Sequence, residues 1–277
     1  MRTPTRARDR AAGGGVLAML ALAIAGWTPA PVREWQAMTP MPPEVARDLA
    51  PGGRLRAALN HGNFLLVSKP APDAEGVAPD LARELARRAG ATVAFVGYAN
   101  AGLVADAAKD GAWDVAFIGA EPERAGFITF TPAYVEIEAT YLVRSDSPLR
   151  TIADVDREGV RVVSASRAAY TLFLQRTLRH ARVVEANGID GSFEAFVKGD
   201  AQALAGLKPR LLDDVTRVPG ARLVEGRFTA VQQSMAVRKE RTAAAAYLEA
   251  FVREIRTSGL LASLIAKHGA RGLAIAR

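Results

Sequence analysis

The chain has 277 residues, 49% of them hydrophobic, which is enough for one large or two modest domains with a sizeable core. Its formal charge is +7, but four arginines and one aspartate in the first 25 residues carry +3 of that, and the remaining +4 forms no Lys/Arg block with interleaved aromatics, so nucleic acid is not expected as a partner. There is no cysteine, which excludes disulfides, a lipid-anchored cysteine and thiolate metal sites.

In chain order, Met1 to Arg10 is basic, Ala11 to Ala25 is apolar and small, and Ala23-Ile24-Ala25 fits a cleavage site. This order is that of a signal peptide and is too short for a comfortable transmembrane helix. Translation starting at Met38 or Met41 would instead leave the protein cytoplasmic. Gly26 to Pro43 holds five prolines and reads as a linker. Glu44 to Leu49 reads as a short helix ended by Pro51-Gly52-Gly53, and Leu55 to Leu59 as the first strand. Beyond it, Asn60 to Phe64 forms a turn. Val77 to Gly90 is the clearest helix: Leu81, Leu85 and Ala89 recur on one face and Gly90 ends it. Asp80 is a first-turn acid or a cap. A strand at Thr92 to Val96, a helix at Leu103 to Lys109 and a strand at Val115 to Ile118 complete a parallel α/β layer.

Gly119 to Gly126 is a polar turn with Pro122 and a charged tip of Glu121, Glu123 and Arg124. A guanidinium on a turn after a strand is well placed for a carboxylate, whose two oxygens match its planar fork. The bland alternative is an exposed Arg124 paired with Glu121 or Glu123. Ile137 to Val143 is rich in β-branched and aromatic residues and reads as a strand.

A second α/β layer follows. It has strands at Val160 to Val163, Arg182 to Glu185, about 199–207 and Ala221 to Val224, with helices at Ala169 to Leu178, Ser192 to Lys198 and Pro209 to Val215. Ser164 and Ser166 precede a helix N-terminus, where free backbone N–H groups favour an anion; they serve as ligand contacts or as simple caps. Phe228 to Val237, with Gln232, Gln233 and Ser234, returns toward the first layer, and helices at Ala243 to Ile255 and Gly259 to Lys267 end the chain. The three histidines, His61, His180 and His268, have no metal-ligand spacing, and no P-loop, dinucleotide or G-x-S-x-G motif occurs, so neither a metal nor a cofactor is expected.

Gly111, Asp114, Pro122-Glu123-Arg124-Ala125 and Phe130-Thr131-Pro132-Ala133-Tyr134, with Gly76, Asp80, Leu81 and Ala82 upstream, resemble the motifs of bacterial family 3 solute-binding proteins, from about Leu55 to the C-terminus. Two departures stand out. The segment from Asp114 to Arg124 is shorter than usual, and Glu121 replaces the threonine three residues before the arginine.

The resemblance implies an α/β, two-lobed periplasmic-binding-protein-like fold of type II with two hinge strands. Lobe 1 would span 44–138 plus 232–277, and lobe 2 141–229. It implies a receptor, not an enzyme, that captures a small anionic metabolite, carboxylate or amino-acid-like, in an interlobe cleft. Its partners would be that ligand and an ABC transporter permease, and the protein would be a periplasmic monomer. Candidate ligand-binding residues are Asn63, Phe64, Glu121, Arg124, Tyr134, Ser164, Ser166, Lys208 and Gln232. Phe64 either covers the ligand or is ordinary core.

In the family an acid on a second-lobe strand pairs with the ligand's ammonium. Here Gln202 and Leu207 stand at the acidic positions, and Lys208 follows. That implies a ligand other than a standard α-amino acid held in the usual way, unless Glu121 or Glu225 reaches the same space. Two other readings are a ligand sensor without transport and a cyclohexadienyl-dehydratase-like enzyme; the turn from Ser164 to Tyr170 contains no acid for the latter.

The leader is expected to be cleaved after Ala25, and N-terminal sequencing of protein from its native host checks this. A first residue at Met38 or Met41 would place the protein in the cytoplasm and sink the transport reading.

Overall fold

The computed structural model of the protein describes residues 41–277. The expected leader and all of the expected linker up to residue 40 lie outside the described residues. The first layer runs through α1 (Pro43–Leu49), β1 (Arg54–Asn60), α2 (Val77–Arg88), β2 (Thr92–Tyr98), α3 (Ala101–Ala107), β3 (Val115–Gly119), a 3-10 turn at Pro122–Arg124 and β4 (Ile128–Phe130). After β5 (Val135–Arg144) the second layer follows with β6 (Arg161–Ala165), α4 (Ala169–Thr177), β7 (Arg182–Ala186), α5 (Gly188–Lys198), β8 (Ala203–Leu207), α6 (Lys208–Arg217) and β9 (Ala221–Leu223). The chain returns through β10 (Thr229–Arg238) and ends in α7 (Thr242–Thr257), α8 (Leu260–Lys267) and β11 (Leu273–Ile275).

The strand order is β2-β1-β3-β10-β5-β8-β6-β7, with β4 on β10 and β9 and β11 on β5. The pairs β1–β2, β1–β3, β6–β7 and β6–β8 are parallel. The antiparallel pair β10–β5, from Thr229 opposite Ala139 to Gln233 opposite Val135, joins the two halves. These are the two crossing strands expected from Ile137 to Val143 and Phe228 to Val237. Each half, or lobe, has its own core. In lobe 1, α2 turns Val77, Ala78, Leu81, Ala82 and Leu85 against the β1 side chains Leu55, Ala57 and Leu59 and against Leu248 and Phe251 of α7. In lobe 2, Leu142, Val163, Phe193, Phe196 and Leu211 form one core face.

Two expected helices start earlier than their apolar pattern indicates. Asn100 caps α3, its Oδ1 accepting from Leu103 N at 3.0 Å, so the helix begins at Ala101. The helix expected from Ser192 begins at Gly188, since Asn187-Gly188 supplies the turn and Gly191 is carried inside the helix. The short strands β4 and β11 have too few residues to show a period, and only pairing with β10 and β5 defines them.

Charge also organises the first lobe. Asp114, fully buried, accepts from Arg56 N, Nε and Nη2 at 2.8–2.9 Å and lies 3.1 Å from Arg241, tying β1, β3 and the start of α7 together. Asp80 does not cap α2. From its first turn it accepts from Lys267 and His268 at 2.7 and 2.8 Å and so fastens α2 to α8. Arg88, at the end of α2, pairs with Glu84 at 2.9 Å and with Glu254 of α7 at 2.8 Å, and lies 4.5 Å over the Phe251 ring. Removing this guanidinium leaves two carboxylates without their shared cation. Arg88→Ala is expected to cost about 3 kcal/mol, and thermal denaturation should show a midpoint roughly 6–12 °C lower. An unchanged midpoint would show that the network contributes nothing to stability.

Candidate functional site

The C-terminal ends of the parallel strands of both lobes converge on one cleft, as open α/β sheets require of their ligand sites. Lobe 1 contributes Asn60 and Asn63 beyond β1, Asn100 beyond β2, Gly119 at the end of β3, and Arg124. Lobe 2 contributes Ala165 and Ser166 at the end of β6, Ala169 and Tyr170 in the first turn of α4, Ile189 of α5 and Leu207 at the end of β8, while Val231 and Gln233 come from β10. The cavity, partly open to solvent, measures about 60 Å³. At ~10–15 Å³ per water on this measure, that is room for roughly four to six non-hydrogen atoms.

Arg124 is the centre of this site. It is 6% exposed, and it makes no ion pair among the described residues. Its Nη1 donates to Gly119 O at 2.5 Å and its Nη2 to Arg167 O, in lobe 2, at 2.8 Å, while its Nε has no partner. A guanidinium carries five N–H donors, so these two backbone contacts leave part of its donor capacity unused. Burial pushes its pKa down to about 10, partly offset by the nearby Glu121 carboxylate, and the group stays charged at neutral pH.

Among the described residues no aspartate or glutamate lines the cavity, and Arg124 is the one charged side chain on it. The remaining wall is apolar or neutral: Leu207, Val231, Ala165, Ala169 and Tyr170 belong to one apolar cluster. Asn63 adds a buried Oδ1 without a donor.

Close approach between the lobes depends on two glycines. A Cβ on Gly119 would lie 2.9 Å from Ala169 Cβ, and one on Gly102 would lie 2.3 Å from Arg167 Nε. Along this edge the lobes are bridged by charge. Arg176 of α4 reaches Glu121 Oε2 at 2.8 Å and Glu123 at 2.6 Å, and Arg167 reaches Asp106 of α3 at 2.8 Å. Burial raises the pKa of Glu121 against the opposing pull of Arg176.

The structure brings three of the nine candidate residues, Asn63, Arg124 and Ser166, to the cavity wall. The other six lie off that wall. Glu121 turns to Arg176 and does not line the cavity. Tyr134 is fully buried in the lobe 1 core, edge-on to Phe117 at 6.4 Å, because β5 begins one residue later and turns it inward. Ser164 is buried under α4, sharing a 2.6 Å hydrogen bond with Thr171. Gln232 donates to Ala230 O, and its neighbour Gln233 faces the cavity instead; alternation along β10 decides between them.

Phe64 and Lys208 line a different groove of about 750 Å³, beside the cleft and bounded by Leu212 and the segment 268–274. There Lys208 pairs with Glu138 at 2.8 Å and so is not aimed at a ligand on Arg124. Ser166 is also engaged, donating to Glu185. Tyr170, Ile189 and Val231 were not expected at the site, since no chemistry in their local sequence sets them apart. Arg176 gave no signal either, since its partners lie in the other lobe.

The profile of the bacterial extracellular solute-binding proteins, family 3, matches residues 64–271. No curated protein sequence matches the chain. Among solved structures, the P235GK mutant of ArgBP from T. maritima is 24% identical with a TM-score of 0.65, covering 79% of this chain and 96% of that one. The amino acid ABC transporter substrate-binding protein AbpA from Streptococcus pneumoniae, bound to L-arginine, is 17% identical with a TM-score of 0.65, covering 79% and 95%. A BvgS VFT2 domain of Bordetella pertussis, a double mutant, is 18% identical with a TM-score of 0.67, covering 83% and 99%. The matched profile spans most of the chain and the fold agrees with it: this protein belongs to the bacterial extracellular solute-binding proteins of family 3.

Proposed function

We propose that this protein is a receptor for a small carboxylate without an amino group, captured between the lobes by Arg124 and handed to an ABC permease. One observation carries the ligand class: among the described residues, Arg124 is the sole charged side chain on a cavity that no acid lines. A ligand carboxylate meets a buried guanidinium with a free edge. An ammonium in the same cavity would find no ionic partner. Desolvating an unpaired charge costs several kcal/mol, against roughly 8 kcal/mol for a whole micromolar binding event. The apolar wall of Leu207, Val231 and Tyr170 suits a short hydrocarbon or oxo-acid body. The first turn of α4 adds free backbone N–H groups beside the same cavity.

Transport rests on the family and on the expected leader. A permease partner is tested by uptake in the native host with the permease genes deleted; uptake that continues unchanged favours a sensor. Catalysis is disfavoured by the same wall, because a cavity without an acid offers no general acid for a dehydration.

Arg124→Ala is expected to weaken carboxylate binding at least tenfold, as the loss of a charge-assisted hydrogen bond on the order of 1.5–3 kcal/mol implies. Calorimetric titration reads this directly, and an unchanged Kd would remove Arg124 from the site. The ligand class is checked by titrating acetate, propionate, pyruvate and L-lactate against glycine, L-alanine and L-arginine. The organic acids should bind and the amino acids should not. Micromolar binding of an amino acid with none of the organic acids would overturn the amine-free reading.

A further inference from the structure

Glu121 and Arg124 lie at the two ends of one 3-10 turn, where Arg124 N donates to Glu121 O at 3.0 Å. Residues three apart in such a turn eclipse each other. Both side chains are buried, 9% and 6% exposed, and they carry opposite charge. Opposite buried charges this close would be expected to pair, since either alone is costly to desolvate. Here they do not: the Glu121 carboxylate goes instead to Arg176 of the other lobe at 2.8 Å, and Arg124 keeps a free Nε. Arg176 holds Glu123 as well, through both carboxylate oxygens at 2.6 and 2.7 Å.

The partner of Glu121 therefore depends on closure. Arg176 and Arg167 both ride on lobe 2, and separating the lobes carries both away from the lobe 1 turn. Glu121 is then left beside one cation on its own turn, Arg124. A half-buried carboxylate next to a buried guanidinium pairs with it, since either charge alone is costly to desolvate.

We propose that Glu121 is an internal competitor for the ligand site, and that Arg176 is the positioning residue that removes it. In the open receptor Glu121 occupies the guanidinium of Arg124. An incoming carboxylate displaces it, and the displaced Glu121 becomes the anion that Arg176 grips as lobe 2 closes. Ligand binding on one lobe and ion pairing with the other are one exchange of carboxylates. The arrangement favours anionic ligands, because a neutral molecule cannot displace Glu121. It rests on the reading of Arg124 as the carboxylate site.

The alternative is a plain strap, in which Arg176 only holds the lobes together. The two differ in how Glu121→Gln compares with Glu123→Gln. A strap loses affinity alike from Glu121→Gln and Glu123→Gln. A competitor makes Glu121→Gln lose less affinity than Glu123→Gln, because removing Glu121 gives up its pair with Arg176 but also frees Arg124 in the open receptor.

The test is calorimetric titration of pyruvate into the unmodified protein, Arg176→Ala, Glu121→Gln, Glu123→Gln and the double variant Arg176→Ala/Glu121→Gln, with crystal structures of unliganded Arg176→Ala. The Arg176 side chain is about a third exposed, so its removal leaves the fold intact. Arg176→Ala should weaken pyruvate at least about tenfold, as loss of a charge-assisted contact implies, and adding Glu121→Gln should restore it to within about threefold.

In the Arg176→Ala crystals a Glu121 oxygen should lie about 3 Å from the Arg124 guanidinium, the spacing of a charge-assisted hydrogen bond. A double variant as weak as Arg176→Ala, or a Glu121 that stays turned away from Arg124 in the crystals, would overturn the proposal. Failure of the unmodified protein to bind pyruvate or any acid of the panel removes the carboxylate reading instead, and the crystal comparison still decides where Glu121 goes.

Discussion

The structure is arranged around a guanidinium taken out of water. Arg124 is buried where the lobes meet, and a buried cation without compensation would be expensive. Its compensation comes from both sides: the Gly119 carbonyl at the end of β3 and the Arg167 carbonyl ahead of α4. Each donor–acceptor pair fixes a piece of backbone. Gly119 has no side chain, so Ala169 of lobe 2 can close to within contact of its Cα. Arg167 takes a left-handed backbone, φ 58°, that turns its carbonyl toward lobe 1, while its own guanidinium lies over Gly102 and pairs with Asp106. What is left of Arg124's hydrogen-bonding capacity is a buried Nε without a partner among the described residues.

The two halves are joined through two strands. β5 and β10 are shared by the two halves of one sheet, and the lobes otherwise have separate cores. Between them lie a small apolar cluster with Tyr170, Leu207 and Val231, and a row of partly exposed ion pairs. Ion pairs of that kind contribute little each, and small clusters bury little area. Such an interface permits the lobes to move about the two strands without unfolding either. The strong charge networks, Asp114 with Arg56 and Arg241, and Arg88 with Glu84 and Glu254, lie inside lobe 1, where rigidity is needed.

The cavity's charge is set by where the acids of the cleft lie. The chain has acids on its cleft edge, Glu121, Glu123 and Asp106, but each is neutralised by an arginine of the opposite lobe. None reaches the cavity. Leu207 ends β8 at a point where a carboxylate would have faced the same space, and it joins the apolar wall.

The amino-acid sequence by itself determined the layers, the hinge strands and the central residue. The β-branched and aromatic run in β5, the apolar face of α2, and an arginine on the turn after β3 are local patterns, and local sterics and burial suffice to read them. The missing acid at Leu207 was legible only against the motif of the family that the sequence resembles. Only the tertiary structure decided what each polar side chain faces. Lys208 and Leu207 are neighbours, yet one lines the side groove and the other the cleft; Gln233 rather than Gln232 faces inward because strand side chains alternate; Tyr134 turns into the core. The partner of Glu121 is an arginine 55 residues away on the other lobe. Contacts of that separation depend on how two independently folded halves come together, and no periodicity in either half encodes them.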